Sequence, residues 1–127
     1  MRIVAAMLLV LASVAACGQA TPSPSPAPAN APGVRIDIVA EAIEFQPAAV
    51  TIPSGTDFVV RLDNRDAGVP HNVALLADAN FSTTLAKGEI VTGPAVVDLA
   101  IAGLIPGRYR LMCEVHPNML VDVTVEP

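Results

Sequence analysis

The chain has 127 residues, a formal net charge of −5 and a 53% hydrophobic composition, yet no Trp, one Tyr and three Phe. That acidic balance excludes the basic footprint of a nucleic-acid binder and disfavours an anionic membrane surface as a partner. With so few aromatics the core must be Val, Ile, Leu and Ala, and the length allows one small domain beyond the N-terminal segments.

Met1-Arg2 is a short positive start, and Ile3 to Val14 is almost wholly apolar. This run is too short to span a bilayer comfortably, so residues 1–16 read as a signal peptide. It ends in Val14-Ala15-Ala16-Cys17-Gly18, which resembles a bacterial lipobox, with cleavage before Cys17 and lipid on its thiol. An ordinary cleavage site or an uncleaved anchor is the alternative. Two or more acyl chains hold a protein stably to a membrane. The expectation is a membrane-anchored, extracytoplasmic lipoprotein, in the periplasm or on the surface of a bacterium. Residues 17–33 carry the lipidated Cys and a run of Pro alternating with Ser and Ala. Such a run favours extended polyproline conformation, a tether of roughly 40 Å at about 3.1 Å per residue.

Residues 34–127 form the domain. All 12 acidic residues lie in it, and of the 7 basic residues only Arg2 precedes it. Val34 to Ala40 alternates apolar and polar residues, the period of a half-buried strand. Glu41 to Pro47 reads as a short connection, with Ile43 and Phe45 pointing inward. Ala49 to Ile52 is a second strand, stopped by Pro53-Ser54-Gly55. Asp57 to Asp63 is a third, rich in β-branched residues. Asn64 to Pro70 is a loop, and the sheet restarts at Asn72 to Leu76. Ala77 to Lys87 has no clear period and reads as a turn of helix or an irregular excursion around Phe81. Glu89 to Thr92 and Val96 to Ile101 read as strands parted by Gly93-Pro94. Arg108 to Cys113 alternates again after the turn Leu104 to Gly107, and Leu120 to Val125 closes the chain. Short strands broken by Gly/Pro turns, with no convincing helix, indicate an all-β sandwich.

The chemistry is concentrated in Cys113-Glu114-Val115-His116-Pro117-Asn118-Met119, with a second imidazole at Pro70-His71-Asn72. The chain's two His, and its sole Cys outside the leader, fall in this set. Two imidazoles, a thiolate and a weak axial thioether suit copper in both oxidation states. A lone thiol in an exported protein otherwise reads as a buried, inert Cys. Each ligand taken singly also has a bland reading: a loop His, a packed Met. Their joint spacing favours a metal site made of His71, Cys113, His116 and Met119. Asn72 is placed to hydrogen-bond across to the second ligand loop. Alternation puts Met112 on the opposite face from Cys113, as core.

These residues resemble the cupredoxins, the blue copper proteins, in their amicyanin/plastocyanin-like branch. The similarity runs through Phe45-x-Pro47, Val50-x-Ile52-Pro53-x-Gly55, Asn64, Pro70-His71-Asn72-Val73 and Pro106-Gly107-x-Tyr109-x-x-x-Cys113-x-x-His116-x-x-Met119. The short final loop, with Pro117 after the second His, is similar to amicyanin. The resemblance implies a Greek-key β-sandwich with one type 1 copper ion, liganded by His71, Cys113, His116 and Met119, and one-electron transfer. It also implies an exposed apolar patch around His116, to which Val69, Pro70 and Pro117 would contribute. Glu114 beside the thiolate and the Pro-rich tether depart from the pattern.

The expected function is that of a tethered, monomeric one-electron carrier serving redox partner proteins, not an enzyme. Multicopper enzymes need more His than the two present, and a binuclear centre needs two Cys in the ligand loop. The alternative is a lipoprotein that buffers or delivers copper without shuttling electrons. A metal-free interaction module is a third reading, and the complete ligand set counts against it. Tyr109 fits a sandwich corner whose hydroxyl bonds backbone.

Overall fold

The computed structural model describes residues 33–127 apart from residue 78. The signal peptide, Cys17 and nearly all of the tether lie outside the described residues.

The described chain forms strands and no helix. In order they are β1 (Val34–Glu41), β2 (Glu44–Gln46), β3 (Ala49–Pro53), β4 (Phe58–Asn64), β5 (Pro70–His71), β6 (Ala74–Ala77), β7 (Thr83–Lys87), β8 (Val91–Thr92), β9 (Ala95–Ile101), β10 (Gly107–Met112) and β11 (Leu120–Glu126). One sheet has the order β2-β1-β4-β9, the other β3-β11-β10-β6-β7, and β5 pairs with β8 as a small ribbon. The pairs β1–β4 and β3–β11 are parallel, the rest antiparallel. The chain passes repeatedly from one sheet to the other, and the result is the expected all-β sandwich.

Period-two alternation builds the core. Ile36, Ile38 and Ala40 of β1 and Phe58, Val60 and Leu62 of β4 face Leu75, Tyr109, Leu111, Val121, Val123 and Val125 of the opposite sheet. Most of these aliphatic side chains are essentially fully buried, each worth about 1.5–3 kcal/mol over exposure. Tyr109 donates its hydroxyl to the Ile105 carbonyl at 3.1 Å, as expected of a corner residue.

Several expectations change. Among the described residues of Ala77 to Lys87 there is no helix: they hold β7, an edge strand paired there with β6 alone. Its residues are mostly exposed, so it lacks the alternation that reveals a half-buried strand. Phe81 stands just before it with φ 52°, and the Arg110 guanidinium lies 4.1 Å from its ring centroid. Phe45 points inward, at 5% exposed, but Ile43 is 42% exposed. The cause is the backbone: Ala42 and Ile43 have φ of 54° and 60°, which rotates Ile43 out of the inward series. The sheet resumes at Ala74, not Asn72, and only Val91–Thr92 of the run from Glu89 is strand. Met112 is half-buried and stays outside the buried core.

Candidate metal centre

Both ligand-bearing loops sit at one end of the sandwich. His71 is held by β5, whose Pro70 and His71 pair with Thr92 and Val91. Asn64, fully buried at the end of β4, braces this region: its amide donates to the carbonyls of Val69 and Val91, both at 2.9 Å. Its carbonyl oxygen accepts the Asp66 amide at 3.0 Å.

Cys113 follows the last residue of β10, and Met119 precedes the first of β11. The loop between them is closed by its own backbone, with Cys113 N donating to Met119 O at 3.1 Å and Met119 N to His116 O at 2.9 Å. Cys113 and Met119 are buried, at 0% and 1% exposed, and Cys113 is a free thiol. His116 is half-buried, and Pro117 next to it is exposed.

The side chains converge. His71 Nδ1 lies 3.8 Å from Cys113 Sγ and 3.2 Å from His116 Nδ1, and His116 Nδ1 lies 4.0 Å from the same sulfur. The three donor groups fall within 4.8 Å of one another. Metal–nitrogen and metal–sulfur bonds of about 2.0 and 2.3 Å, as at zinc, put donors around one ion roughly 3–4 Å apart. The observed spacings fit that. Donors this close must share either a proton or a cation between them. The donor set, two imidazoles, a thiolate and a buried Met at the end of the ligand loop, fits one copper ion.

What surrounds the donors holds them. Asn72, fully buried, reaches the other ligand loop as expected: its Oδ1 accepts the Glu114 amide at 2.9 Å and its Nδ2 donates to Glu114 Oε2 at 2.7 Å. The same Nδ2 donates to the Gly88 carbonyl at 3.2 Å. Glu114 also meets Lys87 Nζ at 3.4 Å. Its carboxyl is held below the usual carboxylate range, first by the Asn72 amide and then by Lys87. The departure at Glu114 is therefore a brace between loops.

Asp66 is the residue that sequence reasoning missed. Its Oδ2 lies 2.9 Å from His71 Nε2 and accepts the Ile43 amide at 2.9 Å, while its Oδ1 accepts the Ala42 amide at 2.6 Å. The Ile43 amide foremost, and then His71, lower its pKa. The one sequence signal was an acidic residue in the loop just before the ligand His.

The cupredoxin-like domain model matches residues 2–125. The chain belongs to the cupredoxin-like family. Among solved cupredoxin structures, amicyanin from Paracoccus versutus is 28% identical, covering 76% of this chain and 84% of its own, with a TM-score of 0.54. Two structures share the fold at lower identity. Auracyanin from Roseiflexus castenholzii is 17% identical over 75% of this chain and 98% of its own, with a TM-score of 0.67. Auracyanin A from Chloroflexus aurantiacus, described as a blue copper protein, is 21% identical over 73% and 98%, with a TM-score of 0.65. No curated protein matches the chain. For a cupredoxin the cofactor is copper and the work is electron carriage. The four residues singled out by spacing lie at the same end of this cupredoxin's sandwich.

Proposed function

We propose that this cupredoxin is a one-electron carrier whose single type 1 copper ion is held by His71, Cys113, His116 and Met119. The observation that carries the reading is the convergence of His71 Nδ1, His116 Nδ1 and Cys113 Sγ, at 3.2 to 4.0 Å from one another. Copper supplies one-electron chemistry between Cu(I) and Cu(II). The residues around it supply a geometry suited to both states. β5, Asn64 and Asn72 hold one loop, the strand ends and the internal backbone bonds hold the other, and burial of Cys113 and Met119 keeps bulk water from the sulfur donors. A geometry that changes little between states lowers the reorganisation per electron.

Half-buried His116 is the exit for the electron, and exposed Pro117 with Val69 and Pro70 forms the apolar rim where redox partners dock. Burial of both sulfur donors favours retention of the ion, and so favours carriage over copper buffering or delivery. The domain begins at residue 34. Residues 1–16 are a signal peptide, and residues 17–33 are a tether with lipid on Cys17 that keeps a monomeric domain at an extracytoplasmic membrane face. The motif Ala15-Ala16-Cys17 supports that part of the reading.

Cu(II) is added to the metal-free protein while visible absorption and EPR are recorded. The expected result is an intense thiolate-to-copper band with narrow copper hyperfine splitting, abolished in Cys113→Ser. Ordinary Cu(II) spectra would overturn the assignment. Mass spectrometry of the mature N-terminus tests the anchor, with Cys17→Ser expected to release the protein from membranes.

A further inference from the structure

We propose that Asp66 is a positioning residue: together with the β1–β2 turn, it fixes which nitrogen of His71 faces the metal site. This rests on the copper reading only in taking His71 as a ligand. Neutral imidazole has one N–H and one lone pair, whereas a carboxylate only accepts. With Asp66 Oδ2 at 2.9 Å from Nε2, the proton is held on Nε2, and Nδ1 presents its lone pair to Cys113 and His116. His71 is 0% exposed, so water offers no competing partner.

The carboxylate is itself aimed by other groups. Ala42 N and Ile43 N donate to its two oxygens, and its own amide is held by Asn64. Successive backbone amides in such a turn form a concavity that accepts an anion. This explains a local cost that packing leaves unexplained. Ile43 is β-branched, adopts φ 60° and leaves its side chain 42% exposed. A left-handed conformation is a genuine outlier for such a residue. Strain of this kind persists where surrounding structure over-determines it. Here the over-determining contact is the pair of amides on Asp66. The turn between β1 and β2 is therefore part of the ligand support, although neither Ala42 nor Ile43 carries a metal-donor side chain.

Asp66→Asn tests the proposal. Asn has one acceptor oxygen for three donors, so at least one of Ala42 N, Ile43 N and His71 Nε2 loses its partner. When His71 is the one released, its proton is free to move to Nδ1, where a metal would bind. The first readout is long-range proton–nitrogen NMR of the metal-free protein. Wild type should show the His71 Nε2–H tautomer, and Asp66→Asn a mixture or the Nδ1–H tautomer. Cu(II) affinity should fall about 10- to 100-fold, and the reduction potential should rise with loss of the neighbouring negative charge. Asp66→Glu, which keeps a carboxylate, should restore the tautomer at least in part if Asp66→Asn proves poorly folded. Ile43→Gly keeps both amides and relieves the strain, so its tautomer should match wild type. Glu44→Gln removes an equal charge from exposed β2 and should leave tautomer and affinity unchanged. An unaltered His71 tautomer in a folded Asp66→Asn variant, with affinity and potential unchanged, would overturn the proposal. A tautomer shift in a protein that never forms a blue centre would instead retain the role of Asp66 and refute the copper reading.

Discussion

Asn72 and Glu114 are joined twice across the gap between the two ligand loops, backbone to side chain at 2.9 Å and side chain to side chain at 2.7 Å. The pair stands outside the donor set and spans it. One loop cannot move away from the other without breaking both bonds.

Asn72→Ala should therefore loosen the site as well as the fold. It removes both bonds between the loops, and a net contribution of about 0.5–1.5 kcal/mol is lost with each such bond. Chemical unfolding of the metal-free variant should show that loss, and the copper-loaded variant should release metal to a chelator faster than wild type.

Gly93 lies where no side chain fits. A Cβ there would stand 2.6 Å from Asn64 Oδ1 and closer still to the Asp66 carbonyl. Overpacking of this kind costs about 1–3 kcal/mol. Gly93→Ala should lower the unfolding midpoint and, by displacing Asn64 and Asp66, broaden the copper EPR signal. A variant with unchanged midpoint and spectrum would show that the loop yields freely.

Copper should stabilise the fold. A ligand bound only by the native state adds about 2.7 kcal/mol at a hundredfold excess over its Kd. Calorimetry should find the loaded protein melting above the metal-free one, with the difference lost in Cys113→Ser.

Pro117→Glu places a charge beside half-buried His116 without touching a donor. Electron exchange with a redox partner should slow while the blue spectrum persists. Loss of the copper spectrum would refute the docking role of this surface.

The acid limb of stability has a contributor outside the donor set. Arg61 forks onto Asp98 at 2.8 and 3.1 Å, and that bond holds the Asp98 carboxyl below its ordinary range. A carboxyl with a lower pKa folded than unfolded stabilises the protein above the unfolded value and loses that contribution as pH falls through the folded one. Asp98→Asn should therefore lower the stability of the metal-free protein near neutrality, where the contribution is fully present, and converge with wild type in acid once Asp98 is protonated, so that its acid-unfolding curve is flatter.

The residues that converge at the candidate metal site and most of the sandwich stand out in residue order alone, for two physical reasons. Thiolate, imidazole and thioether are rare chemistries, so Cys113, His116 and Met119 at three-residue spacing stand out against any packing pattern. A strand buried on one face also writes its period into the sequence, as β1, β4, β10 and β11 do. Where burial is absent, that record is absent too. β7 lies at a sheet edge with exposed Thr83, Thr84 and Leu85, so nothing in its order separates strand from loop. Ile43 was misplaced because alternation assumes extended backbone, and two left-handed residues break the count. Asp66 was hidden for a different reason. Its tie to His71 and to the amides of residues 42 and 43 joins two turns far apart in sequence, through backbone donors that any residue type supplies. Composition and periodicity carry no trace of such a contact, and only the folded chain brings its partners together.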